Sequence, residues 1–299
     1  MLSILIPVYN YSILRLVTDL HHQALEAMID FEIIVMEDGE MPLTKVNAVI
    51  GKIDHCQHIV LPQNIGRSAI RNKLADTAKY EHLLFMDGDA ELFLPNYLSK
   101  YIPFCKEECV VIGGTAYDSK EHNPDFSLRL KYGREREAKM YEHSLNMPSK
   151  VLNFATFNFL ISKSIFNSIR FDEHIRGYGH EDTLFGHQLH ELKYEIIRID
   201  NPLIHKGLDD NNTFLKKTCE ATHNLFLLYQ TGRYPFLVAE SKLLRTFVKV
   251  KDLGFRPFFA ILFKLFGPSI KTQLSSSNPS LRLYDIYKLL FLCSTSLKK

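Results

Sequence analysis

The stretch Leu83–Leu92, LLFMDGDAEL, joins an apolar run to two aspartates separated by one glycine. Leu83, Leu84, Phe85 and Met86 have no alternating polar partner, so they read as a strand buried on both faces. Asp87, Gly88 and Asp89 then end it. Two carboxylates on one turn stabilise each other poorly but hold a hard cation well, and Gly88 lets the backbone turn tightly between them. Asp-Gly-Asp is also ordinary turn chemistry, so this segment gains its meaning from the rest of the chain.

Other segments repeat the pattern of a buried strand with a polar end. LSILIPV (2–8) is an apolar run closed by Pro7, and a helical pattern over 12–28 follows it. FEIIVMEDGE (31–40) closes on acids and glycine. HIVLPQN (58–64) reads as a short third strand, IGRSAIRNKLADTA (65–78) as a glycine-led helix, and HLLFMDGDAE (82–91) as the fourth strand. VVIGGTAY (110–117), FATFNFLISKSIF (154–166) and YEIIRIDNPLIHKG (194–207) add further strands. RGYGHEDTLFGHQLHELKY (176–194) is a glycine-punctuated loop that runs into a helix, and 118–150 is a charged excursion over the site without clear periodicity. Strands alternating with helices predict an α/β fold with a mostly parallel, Rossmann-like sheet flanked by helices. Such sheets bind ligands at the carboxyl ends of their strands. Three of those ends carry polar groups here: Tyr9–Asn10, Glu37–Asp38–Gly39 and Asp87–Gly88–Asp89.

Composition narrows the function classes. The chain has 299 residues, is 46% hydrophobic and carries a net charge of +2, which gives no strong pull toward nucleic acid. Five scattered cysteines fit a reduced compartment, and DHCQH (54–58) and CKEEC (105–109) lack the matching second pair of a zinc site. MLSILIPVYN lacks the basic n-region and cleavage site of a signal sequence, and no run approaches the roughly 18 apolar residues needed to span a bilayer. The expected location is the cytoplasm, with peripheral contact on the inner face of the cell membrane as an added option.

Two further features join the aspartate turn. Glu181 and Asp182 follow flexible glycines at the start of a helical run, where one carboxylate could face a substrate or both could complement the helix dipole. His205 follows a strand in NPLIHKG, as a core or surface histidine or as a third metal ligand.

Taken in order, LSILIPVYN, IIVMEDGE, NIGRSAIRN, FMDGDAE, GYGHEDTLFGHQL and IHKG resemble the motifs of family-2 glycosyltransferases, inverting enzymes of the GT-A fold, over about residues 2–230. The resemblance implies that Pro7, Val8 and Tyr9 line the nucleoside pocket and that Asp38 hydrogen-bonds the base, which suits uracil. It places Asn64, Gly66 and Arg71 in the nucleotide site, with Arg71 near the ribose or diphosphate. Asp87 and Gly88 would sit at the ribose or metal-bound water, Asp89, Asp87 and His205 would hold Mn2+ or Mg2+, and Asp182 would be the general base. Glu181 and Tyr178, beside the expected base, would be the acceptor contacts. The chain departs from processive polysaccharide synthases, since without tryptophan it cannot contain their Gln-x-x-Arg-Trp motif, and Glu37 stands where many relatives have aspartate.

The expected reaction is therefore transfer of one sugar from a nucleotide sugar, UDP-linked by preference, to a glycan or lipid-linked acceptor in cell-surface polysaccharide synthesis. A sugar-phosphate nucleotidyltransferase is the alternative enzyme, but PVYNYSILR lacks the glycine-rich basic loop that would hold a triphosphate. A non-catalytic nucleotide-sugar-binding module is the other alternative. The catalytic domain is expected over 1–212, with a nucleotide half to about 115 and an acceptor half over 116–212. Residues 213–299 form a helical extension in which FFAILFKLF (258–266) and YKLLFLC (287–293) either pack on the catalytic domain or meet a membrane surface.

Overall fold

A computed structural model of the chain describes residues 1–106, 108–145, 154–175 and 177–297. The last residues of the expected excursion, from 146, and Arg176 at the head of the glycine loop lie outside the described residues, as do Lys298 and Lys299. Packing yields two compact units that interleave along the chain. The first holds Met1–Asp118, Glu137–Arg176 and Glu181–Gly207; the second holds Ser119–Arg136, Gly177–His180 and Leu208–Lys299. The helical unit thus takes in two short segments from within residues 116–212.

The first unit begins β1 (Leu2–Val8), α1 (Leu14–Glu26), β2 (Phe31–Glu37), α2 (Thr44–Asn47), β3 (Cys56–Val60), α3 (Arg67–Thr77) and β4 (His82–Met86). These strands are all parallel and lie in the order β3-β2-β1-β4. Leu2, Ile4, Ile6 and Val8 of β1 face α1, packing with Leu16, Val17, Leu20 and Ala24. Leu5 faces the other way, in a core that includes Ile70 and Leu74 of α3. Helices on both faces leave no solvated side, which is why the strand reads as an unbroken apolar run. Because β2, β1 and β4 are neighbours, the three polar strand ends expected from the sequence do lie side by side. The chain reverses its direction of strand addition between β1 and β4, the position where open α/β sheets bind ligands.

The chain then continues through β5 (Ala90–Glu91), β6 (Val110–Ile112), β7 (Thr115–Ala116), α4 (Ser127–Tyr132), α5 (Lys139–Leu145), β8 (Asn158–Ser162), α6 (Lys163–Ile169), α7 (Glu181–Glu191), β9 (Ile196–Arg198) and β10 (Leu203–His205). β8, antiparallel to β4 and β6, and then β9 complete a seven-stranded sheet in the order β3-β2-β1-β4-β8-β6-β9.

Several segments differ from the sequence reading. The third strand starts earlier, at Cys56, and stops at Val60. The 154–166 segment turns into α6 at Lys163, and the stretch without clear periodicity contains α4, a π-helical turn over Gly133–Ala138, and α5. The segments 110–117 and 194–207 each break in two, and their second halves form a separate three-stranded sheet with β5, in which β10 lies between β5 and β7. The break at Gly113–Gly114 has a steric cause: a Cβ on Gly113 would overlap the Tyr101 hydroxyl, and one on Gly114, which has φ +87°, would overlap the Tyr141 ring.

One buried side chain holds these breaks in register. Asn158 Oδ1 accepts from the hydroxyls of Tyr97 (2.6 Å) and Tyr101 (2.8 Å), while its Nδ2 donates to the carbonyls of Gly114 (3.1 Å) and Asn201 (2.9 Å). Burial raises both tyrosines well above their ordinary pKa, so both stay protonated donors. Removing a partner from a buried donor leaves its desolvation uncompensated, about 1–3 kcal/mol per group. Asn158→Ala should therefore destabilise the protein by about 2–4 kcal/mol. Urea unfolding would show this as a lower midpoint at unchanged slope; an unshifted midpoint would remove the network from its proposed part in holding the fold.

The second unit continues with α8 (Asn211–Thr231), α9 (Phe236–Glu240), α10 (Lys242–Asp252), α11 (Arg256–Leu274) and α12 (Leu281–Thr295). Its core joins Leu128 of α4, Phe214 and Leu215 of α8, Leu274 of α11 and Tyr284 and Tyr287 of α12. The glycines before α7 close on α8: a Cβ on Gly177 (φ +86°) would stand 2.7 Å from Glu220 Oε1, and one on Gly179 (φ +94°) 3.1 Å from Ala221 Cβ.

Candidate active site

The rim begins at the end of β1. Val8 is buried, Pro7 is partly exposed, Tyr9 is 58% exposed, and Asn10 takes the left-handed conformation at φ 49°. The Val8 carbonyl accepts the Asp38 amide (2.8 Å), which joins the first two strand ends. Asp38 itself is buried, and its two oxygens accept the backbone amides of Ile65 (2.6 Å) and Gly66 (3.1 Å). Gly66 has no side chain to cap α3, so a carboxylate from the neighbouring strand satisfies the helix start instead. Asn64 is exposed, and its backbone comes so close to Gly39 (φ +99°) that a Cβ there would stand 3.2 Å from Asn64 N.

Glu37, fully buried, accepts from Asn47 Nδ2 (2.7 Å) and lies 3.3 Å from His58 Nε2. Asn47 also donates to the Tyr11 carbonyl and accepts from the Ile13 amide, so Glu37 braces the loop after β1.

The aspartate turn follows β4. Gly88 packs against the end of β1, where an added Cβ would stand 3.1 Å from Val8 Cγ2 and 3.2 Å from the Pro7 carbonyl oxygen. Asp87 and Asp89 find different partners. Asp87 Oδ1 accepts from Arg71 Nη2 at 2.7 Å. Arg71 is only 2% exposed; its Nη1 lies 4.0 Å from Glu181 Oε1, and its guanidinium lies 5.7 Å from the Phe171 ring centroid. Asp89 Oδ2 pairs with His205 Nε2 at 3.0 Å, a contact set by the antiparallel pairing of Ala90 with His205. Tyr117 and Phe157 flank the imidazole. Asp89 Oδ1 is buried without a hydrogen-bond partner. Gly207 is required beside it, since a Cβ there would overlap the Asp89 carboxylate.

The two key acids are driven in opposite directions. Burial opposes ionisation of Asp89, but the hydrogen bond and charge of His205, with Arg67 behind them, outweigh it and hold the carboxyl below its ordinary pKa. Asp182, half-buried in the first turn of α7, is pushed up to about 6 by burial and by the neighbouring Glu181 charge. Its Oδ1 accepts from the Thr183 amide (2.7 Å) and hydroxyl (3.3 Å), and its Oδ2 takes no hydrogen bond from the described residues.

The structure therefore links Asp87, Arg71 and Glu181 in one run of ion pairs, with Arg67 3.8 Å from Glu181, and sets Asp89 against His205. Asp87 is turned toward Arg71, and among the described residues no group of three or more His, Cys, Asp or Glu side chains is gathered to hold a metal. Tyr178 lies in the second unit, where its amide donates to Glu220 (3.0 Å) and its carbonyl accepts from Asn224 (3.1 Å). Sequence reasoning passed over Arg67, one helical turn before Arg71. It also passed over Tyr11, whose hydroxyl is raised by burial and by the charges of Asp89 and Glu91. The i, i+4 spacing of the two arginines behind Gly66 was the available signal for the first.

A mostly parallel sheet with acids along one rim, closed by a small second sheet, defines a GT-A glycosyltransferase. Residues 3–170 match the family described as Glycosyl transferase family 2, more than half of the chain, and the chain belongs to that family. EpsH of Bacillus subtilis (strain 168), a protein named as a glycosyltransferase, is 23% identical over 245 residues, 81% of this chain and 70% of EpsH. The mannosyltransferase PcManGT from Pyrobaculum calidifontis, solved in complex with GDP-Man and Mn2+, has the same fold. The likeness covers 99% of this chain and 86% of PcManGT, with a TM-score of 0.58 at 13% identity.

The raised pKa of Asp182 has a stability consequence. A carboxyl whose folded pKa exceeds its ordinary 3.8 favours the fold while protonated, and that contribution drains away as pH rises from about 4 to about 6. Asp182→Asn, which stays neutral, should match the parent at pH 4 and exceed it at pH 7 by at most about 3 kcal/mol. Thermal melts at the two pH values check this; an equal offset at both would mean that Asp182 is not destabilised as an anion.

Proposed function

We propose that this glycosyltransferase moves a single sugar from a nucleoside diphosphate donor to a hydroxyl of a glycan or lipid-linked acceptor, with inversion at the anomeric carbon. The observation that carries the reading is the ion-pair run Asp87–Arg71–Glu181, which ties the aspartate turn after β4 to the residue beside Asp182. In the reaction, Asp182 Oδ2 takes the acceptor hydroxyl proton as that oxygen attacks the anomeric carbon, and the bond from that carbon to the diphosphate oxygen breaks. A carboxyl with pKa about 6 suits this work, because it is ionised at neutral pH yet more basic than an ordinary aspartate. No covalent intermediate is needed.

Asp89 and His205 fit a divalent cation, Mn2+ or Mg2+: they offer a carboxylate oxygen and an imidazole nitrogen, and Asp89 Oδ1 is a buried acceptor without a partner. When bound, the cation supplies charge to the departing diphosphate. PcManGT, solved with GDP-Man and Mn2+, supports a nucleotide-sugar donor together with a divalent cation. The preference for uridine rests on Asp38, whose oxygens each keep a lone pair beyond the amides of Ile65 and Gly66 for the N3–H of the base. Pro7, Val8, Tyr9, Asn64 and Gly66 surround the same strand ends and are assigned to the nucleotide. Glu181, next to Asp182 in the first unit, is assigned to the acceptor.

Three measurements test this function. A thermal-shift screen with Mn2+ should show stabilisation by UDP-sugars; a response confined to GDP-sugars would overturn the uridine assignment. Asp182→Asn should lower transfer by about 10²–10⁴-fold while nucleotide binding persists. Loss of nucleotide binding would contradict its role as base. Asp89→Ala should remove the dependence of nucleotide affinity on manganese, and an unchanged dependence would exclude Asp89 as a ligand.

A further inference from the structure

We propose that α10 and α11 form a surface that docks on an anionic lipid bilayer. Leu253 (70% exposed), Phe255 (54%), Phe258 (55%), Ile261 (57%), Leu265 (63%) and Phe266 (54%) all face water. Phe258, Ile261 and Leu265 recur at the spacing of one helical face, and Leu253 and Phe255 extend the patch at the helix start. A continuous apolar stripe of this kind on a folded domain marks an interaction surface.

The opposite face of α11 is already in use. Phe263 packs on the rings of Tyr287 and Phe291 of α12 at 5.5 and 5.7 Å, and Leu274 is fully buried in the core of the unit. The outward stripe is therefore a second apolar face, separate from the one that holds the helix in place. Among the described residues no single helix is long and apolar enough to cross a membrane, and α10 and α11 meet at a 117° bend. This geometry suits a helix pair lying in the interface with one face inserted.

Charge selects the occupant. Between Ser241 and Leu274 there are seven Lys and Arg residues against Asp252 alone, so this segment carries +6. The whole chain carries +2, which leaves −4 on all the rest. Arg245, Lys249, Lys251 and Lys264 are exposed. Two copies of such a surface repel each other, whereas anionic headgroups attract it while the Phe and Leu side chains enter the acyl boundary. This surface stands independently of the transfer reading, because no residue in it belongs to the candidate active site.

The full chain should co-sediment with phosphatidylcholine vesicles doped with phosphatidylglycerol. Binding should weaken about tenfold with pure phosphatidylcholine or at high salt, as electrostatic attraction to the surface requires. Ile261→Glu with Leu265→Glu should abolish it, and Arg245→Glu with Lys264→Glu should reproduce the loss seen with pure phosphatidylcholine. All four substitutions are at exposed positions, and melting temperature and the nucleotide-sugar thermal shift, read on the same samples, should be unchanged. A parent protein that stays in the supernatant with doped vesicles would overturn the proposal. So would vesicle binding indifferent to lipid charge and salt, or a parent dimer that the Ile261→Glu, Leu265→Glu variant splits.

Discussion

A guanidinium that is 2% exposed is costly to bury without counter-charges, and Arg71 has two carboxylates from distant parts of the chain beside it. Leaving a buried ion without its counter-charge costs about 3–5 kcal/mol, so Asp87 and Glu181 are constrained to remain beside it. Asp87 belongs to the turn after β4 and Glu181 to the first turn of α7. Their shared cation fixes the two acid-bearing segments of the sheet rim against α3. Phe171, against the guanidinium, and the Arg67 carbonyl, which accepts from Arg71 Nη1 at 3.3 Å, complete the enclosure.

That arrangement explains why neighbouring carboxylates behave differently. Asp87 is ion-paired with Arg71. Asp89 sits against His205 and under the influence of Arg67, so it remains ionised despite burial. Asp182 lies beside Glu181, whose negative charge is shared between two arginines, and experiences burial and repulsion more than attraction. Pairs of acids whose environments push their pKa values apart mark divided chemical labour. In the proposed reaction the carboxyl held below its ordinary pKa would serve a cation, and the one raised to about 6 would accept a proton.

Much of this was legible in the amino-acid order. Residues 2–8, 31–37 and 82–86 are apolar because both faces of the sheet are covered, and that burial made their polar ends conspicuous. The breaks at 113–114 and 199–202 were not legible. They depend on Asn158, which satisfies two tyrosine hydroxyls and two carbonyls drawn from three separate segments, and no local pattern encodes such a convergence. For His205 the residues alone offered a third metal ligand as one option beside a core or surface histidine, and the family resemblance favoured the ligand; the Asp89–His205 contact itself spans 116 positions and arises from two strands of two and three residues, which no local pattern encodes. The glycines before Asp182 read as flexible in the sequence. In the structure, Gly177 and Gly179 are fixed by close approach to α8, so their lack of a side chain serves packing.

The C-terminal helices show how one composition can conceal two separate demands. FFAILFKLF reads as apolar nearly all round, a pattern shared by fully buried helices and by helices that meet lipid. The structure separates the two contributions. Phe263 serves the protein core, whereas Phe258, Ile261 and Leu265 receive no comparable cover. A core helix has no use for seven cationic residues on itself and its immediate neighbour, because each long charged side chain must still be hydrated. A helix pair at a bilayer does have a use for them, since its apolar stripe and its cations meet adjacent layers of the same surface. Hydrophobic exposure and local positive charge, which would each be a liability in isolation, become mutually supporting in that setting.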